Sequence, residues 1–154
     1  MRCLDLLEYR VSSDQKIQLH CFTGPESVVR DLLALFPNTN FSVSGLVFQF
    51  NENQQRALQA IPQDHPLVET DAPYFPVRKE FPCSAPHLLD VTAQRIGELL
   101  GGMSMEDVLE LTERNGKSFF PSEWIKDPER GQEPEKVPGV KVPSGPEVRR
   151  RIGQ

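Results

Sequence analysis

The sequence predicts an α/β fold in which helices alternate with the strands of a parallel sheet. Short β-rich runs stand at residues 16–22, 41–45 and 65–71. Between them, apolar residues recur at helical spacing over stretches of ten to fifteen residues, bounded by Pro, Gly and Asn. That rhythm of short strand and longer helix is what βα units produce, because parallel neighbours need a crossover and a helix is the usual one.

Element by element, residues 3–11 read as a first helix and residues 16–22 as the first strand. Gly24-Pro25 opens a second helix, since proline fits the first turn where its missing N–H costs nothing. Val28, Val29, Leu32, Leu33 and Phe36 supply its apolar stripe before Pro37 stops it. Residues 41–45 form a strand that runs into a loop through Leu46-Val47-Phe48, and Asn51 caps a polar helix ending before Pro62. Residues 65–71 give a third strand, closed by Ala72-Pro73. Pro86 starts a helix carrying Leu88, Leu89, Val91, Ile96, Leu99 and Leu100, and Gly101-Gly102 ends it. Ser104 with Asp107 resembles a capping box for a last helix reaching about Asn115.

Composition divides the 154 residues in two. From Pro121 onward, 34 residues hold six prolines and four glycines with few large apolar side chains. Such a segment buries too little apolar surface to offset its ordering entropy, so 121–154 is expected to be a disordered tail and 1–120 the folded part. The tail closes on a small basic cluster, Arg149, Arg150 and Arg151. With seven Lys or Arg against six Asp or Glu the tail carries +1, which leaves 1–120 at −6 within a chain of net −5. That charge argues against gripping phosphates by bulk attraction, so nucleic-acid chemistry would have to come from a local site carrying metal ions. Cys3, Cys21 and Cys83 are odd in number and show no CxxC spacing, which suits a reducing compartment. No apolar run approaches the roughly 18 residues of a membrane span, and the opening residues lack the regions of a signal peptide. A soluble intracellular protein, cytoplasmic or nuclear, with no membrane partner is expected.

Strand alternation selects the site residues. In the first strand Gln18, His20 and Phe22 share one face, and Ile17, Leu19 and Cys21 share the other, which suits a covering helix layer. In the third strand Leu67, Glu69 and Asp71 share a face, with Val68 and Thr70 opposite. Metal-competent groups therefore meet at strand C-terminal ends, where barrels of alternating β and α place their chemistry. A lone histidine at a strand end is more often a hydrogen-bonded structural residue, and an acid before Ala-Pro is often a turn former. An inward His20 and an inward Glu69-Thr70-Asp71 together point to a metal site, and imidazole with carboxylate suits Mg, Mn or Zn. Glu69 either reaches a bound metal's water or accepts hydrogen bonds as an interior polar residue, the structural reading being preferred. His65 lies at the wrong end of its strand and His87 in a first helical turn, which makes both poor ligands.

His20-Cys21-Phe22-Thr23-Gly24, with Glu69-Thr70-Asp71-Ala72-Pro73-Tyr74 placing Asp71 51 residues after His20, resembles the TatD family of metal-dependent deoxyribonucleases. Phe41 to Gly45, Ile61-Pro62, the helix around Val91 to Leu99 and the stretch from Ser104 to Phe120 extend the resemblance over roughly 1–120. It implies a partial TIM-type (β/α)8 barrel of the metal-dependent hydrolase kind, represented by its last three strands and their helices. It also implies His20 and Asp71 as ligands of a divalent cation, Asp71 as the residue that positions or deprotonates the attacking water, and DNA or RNA as substrate. The family's His-x-His pair and its further glutamate and histidine do not occur in these 154 residues. A complete barrel takes about 250 residues, so the resemblance implies that the remaining barrel half comes from another segment or chain. Two other readings stay open: an inactive fragment that acts as a binding or interaction module, and a metal-dependent hydrolase of a substrate other than nucleic acid.

Overall fold

The computed structural model describes residues 3–77 and 81–120. The expected tail, 121–154 with its arginine cluster, lies outside them. Helix α1 (Cys3–Arg10) leads into β1 (Ile17–Leu19), α2 (Glu26–Leu35), β2 (Thr39–Val43), α3 (Glu52–Gln59), β3 (Pro66–Val68), α4 (Leu89–Leu99) and α5 (Met105–Phe119). The three strands pair in the order β1-β2-β3, all parallel, with Leu19 opposite Phe41 and Val43 opposite Val68. Sequential order means that each crossover advances one strand in the same sense, as in the wall of a barrel.

β2 is buried at every position, Thr39 and Ser42 included, as befits a strand flanked on both sides. One face of the sheet meets a core of Phe22, Val29, Leu32, Phe36, Phe41, Val43, Val47, Leu58, Ile96 and Val108. The rings of Phe22 and Phe41 meet edge to face at 5.0 Å. Helix α2 contributes Val29 and Leu32, the stripe its periodicity predicts, while Pro25 stands at its N-cap and not inside its first turn.

The helix ends follow local chemistry. Asn51 caps α3 by accepting the N–H groups of Asn53 and Gln54 (3.0 and 3.1 Å), and the Gln54 side chain accepts the Asn51 N–H in return. Ser104 caps α5 by accepting the Asp107 N–H at 3.1 Å. Pro86 opens a single 3-10 turn, Pro86–Leu88, before α4 proper, and the loop after β2 is likewise a 3-10 turn, Gly45–Gln49. Helix α5 outruns its expected end because Asn115, almost wholly buried, does not cap: its side-chain amide donates to the carbonyls of Gln63 and Pro66 (both 2.9 Å) and pins α5 to the start of β3. At the end of α5 the Lys16 ammonium donates to the carbonyls of Ser118 and Phe119 (2.8 and 3.0 Å), groups a helix terminus leaves without partners.

β1 and β3 are shorter than the runs that predict them, and the reason bears on function. Beyond Leu19 the chain kinks: Cys21 adopts φ of +48°, and pairing resumes at Phe22, whose N–H donates to the Ser42 carbonyl at 2.8 Å. The kink shifts the alternation. Phe22, expected beside His20, turns into the hydrophobic core, and Cys21, expected on the apolar side, turns toward the polar end. β3 hands on to Glu69, whose N–H donates to the Val43 carbonyl (3.0 Å), and Asp71 then turns left-handed with φ of +51°.

Candidate metal centre

The two turns bring together what the chain separates by 51 residues. His20 Nε2 lies 2.8 Å from Asp71 Oδ1, and His20 Nδ1 lies 2.7 Å from Glu69 Oε2. The other Glu69 oxygen, Oε1, accepts the Cys21 backbone N–H at 2.6 Å. Glu69 thereby fastens the kink after β1 to the end of β3, one oxygen holding the Cys21 N–H and the other the imidazole. The His20 side chain is 60% exposed, against 15% for Glu69 and 23% for Asp71, so the imidazole is open to solvent while both carboxylates are mostly covered.

Both neighbours favour the imidazolium. The hydrogen bond that His20 donates to Asp71, with the charges of Glu69 and Asp71, raises the His20 pKa above the ordinary histidine value, and burial opposes the rise. Burial pushes the Cys21 thiol up to about 12, Ser44 opposing and Glu69 reinforcing, so the thiol is protonated at neutral pH. Cys21 is the member that strand alternation missed, because no Gly or Asn marks its left-handed position. His20, Cys21 and Glu69 each present a donor atom, all within 4.8 Å of one another. Among imidazole, thiol and carboxylate groups this spacing fits a divalent cation.

Two groupings thus share His20, one with Asp71 and one with Cys21 and Glu69. Glu69 bonds both His20 Nδ1 and the Cys21 N–H, while Asp71 Oδ1 bonds His20 Nε2. The remaining histidines stand apart. His65 Nδ1 bonds the Thr39 carbonyl at 2.7 Å at the opposite end of the sheet, and His87 lies exposed in the turn before α4.

Sequential parallel strands with imidazole and carboxylate groups at their C-terminal ends define a class by fold, the α/β barrels, of which this is part of the wall. The structure is similar to the hydrolase TatD family protein from Entamoeba histolytica, with a TM-score of 0.65 at 16% identity, over 75% of this chain and 46% of that one. The family model described as TatD related DNase matches residues 1–121, and the chain belongs to that family. It is 40% identical over 73 residues to the human 3'-5' RNA nuclease TATDN2, covering 47% of this chain and 10% of that protein. To the 3'-5' ssDNA/RNA exonuclease TatD of Erwinia amylovora it is 27% identical over 130 residues, 77% of this chain and 48% of the other. The chain therefore spans less than half the length of these relatives. Among the described residues no helix is long and apolar enough to cross a membrane.

Proposed function

We propose that this chain supplies part of the active site of a metal-dependent phosphodiesterase acting on DNA or RNA, with His20 and Asp71 as ligands of a divalent cation. The observation that carries the reading is the contact of His20 Nε2 with Asp71 Oδ1, backed by Glu69 on Nδ1. A neutral histidine with its Nδ1–H held by a carboxylate has its Nε2 lone pair aimed at a cation, the arrangement by which metal-binding imidazoles are oriented and made more basic. Glu69 takes that supporting role. Asp71, on the opposite side of the imidazole, would hold the cation together with His20 and would accept a proton from the attacking water. When bound, a divalent ion lowers the pKa of its water by many units and stabilises charge developing on phosphoryl oxygens. The kink at Cys21 and the turn at Asp71 hold the two donor atoms at one edge, so the chain brings this half of the ligand set to the ion already oriented.

The names of the relatives support nucleic acid as the substrate class. A second reading is favoured by the span of the match: a chain that covers less than half of its relatives serves as a catalytically inactive binding or interaction module. Titrating Mn or Zn into the 154-residue chain by calorimetry, alongside hydrolysis of a single-stranded oligonucleotide, separates the two. The phosphodiesterase reading expects metal binding with turnover, and a loss of turnover of more than about 100-fold in Asp71→Ala. Undiminished hydrolysis in that variant sinks it, and metal binding without turnover favours the module.

A further inference from the structure

Beside Asp71 the structure presents two aromatic rings to solvent. Tyr74 is 66% exposed and Phe75 36%, in a protein whose other large apolar groups mostly lie in the core. The rings form a pair, 6.5 Å between centroids and tilted by 53°. Their backbone is held. The Tyr74 N–H donates to the Asp71 carbonyl at 2.8 Å, which makes residues 71–74 one tight turn. The Ser84 N–H donates to the Pro73 carbonyl (3.0 Å) and the Ser84 hydroxyl to the Thr70 carbonyl (2.9 Å), tying the turn to the segment that follows. Phe75 stands at φ of +54°, with its carbonyl packed so closely on Gly45 that a Cβ there would lie 2.5 Å from the oxygen. The two rings are thus exposed on a backbone clamped at four points.

We infer that Tyr74 and Phe75 form a base-stacking platform that seats an unpaired nucleobase next to the bond cleaved at Asp71. The inference rests on the phosphodiesterase reading and narrows it to single-stranded substrate, because a base must leave its duplex stack before a ring can lie on it. Charge points the same way: a chain of net −5 offers phosphates little bulk attraction, so affinity has to come from the cation and from stacking. Every base has a π face, so the platform is indifferent to sequence. The Asp71–Tyr74 hydrogen bond sets the offset between stacked base and cleaved bond to a single turn of chain.

The test is binding of the 154-residue chain, with Mn present, to a labelled deoxyadenylate hexamer and to the same hexamer built from abasic residues. Phosphorothioate linkages in both prevent cleavage during the measurement. The expected result is a preference for the base-bearing hexamer of about 5- to 150-fold per stacked base. Tyr74→Ala should abolish the preference while leaving abasic affinity in place, and Tyr74→Phe should restore it. Tyr74 is exposed, so neither substitution disturbs the core. Equal binding of the two hexamers by the unmodified chain, or a preference that survives in Tyr74→Ala, overturns the platform and leaves the phosphodiesterase reading standing. Failure to bind either hexamer overturns both.

Discussion

At Gly97, in α4, a Cβ would lie 2.2 Å from the Met103 carbonyl oxygen, while at Cys21, after β1, the backbone turns left-handed around a side chain that has one. The first region is built by volume. Helices α4 and α5 close on each other because glycine lets the chain between them approach, and the Gly97 carbonyl accepts the N–H groups of Gly102 and Met103 (3.0 and 3.1 Å). The second region is built by conformation. Cys21, Asp71 and Phe75 are the non-glycine residues with positive φ among those described, and all three stand at the end of the sheet where His20 meets the carboxylates. Each such residue costs roughly 1–2 kcal/mol in conformation, which packing elsewhere has to offset. The helical body supplies stability and the strand ends use some of it.

Substitutions that separate the two regions test this division. The largest effect belongs to the core: Phe41→Ala, at a fully buried ring, should lower unfolding free energy by about 3–5 kcal/mol in chemical denaturation. A cost as small as that of a surface change would mean that β2 is not the centre of the body. Gly97→Ala should cost about 1–3 kcal/mol, because the obstructing atom is backbone and cannot swing away. A neutral result would break the claim of close approach.

On the other side, Glu69→Gln should weaken cation affinity by about 10- to 100-fold through the loss of a carboxylate behind His20, read by calorimetry. The melting temperature should move little beside the core variants. If the variant unfolds the protein instead, Glu69 belongs to the body and the division fails.

The smallest effect is a pH dependence. His20 has a raised pKa in the folded, metal-free protein, so the stability it contributes is fully present below its unfolded value near 6.5 and is lost as pH rises through the higher folded value. Solvent around the exposed ring keeps that contribution modest. Melting curves in chelator should show His20→Gln destabilised at pH 5.5 and close to the parent at pH 8.5. The opposite trend would show that the two carboxylates do not stabilise the imidazolium. Cation binding runs the other way, since the imidazolium has no lone pair to offer, and should strengthen over the same pH interval.

Much of this was legible in the residues themselves. The order of strands and helices follows from Val29 and Leu32 at helical spacing, from Asn51 and Ser104 as caps and from Gly101-Gly102 as a stop, all local signals with local causes. The approach of His20 to Asp71 was legible because both sit where parallel strands end. What escaped depends on backbone torsion that side chains do not announce. Nothing in Leu19-His20-Cys21-Phe22 marks a left-handed residue, so the exchange of Cys21 and Phe22 between faces could not be read. The last helix was expected to reach about Asn115 and runs on to Phe119. The place of Asn115 on the face of Val108, Leu111 and Thr112 was the available sign that its amide would be spent inside.

Lys16 and the end of α5 lie 102 residues apart along the chain, yet an ammonium and two carbonyls join them. That clasp makes the folded body a closed circuit without a covalent link. Tension applied between the first strand and the last helix would load two hydrogen bonds at the rim farthest from His20. The clasp could part under strain while the donor atoms at the other rim keep their spacing.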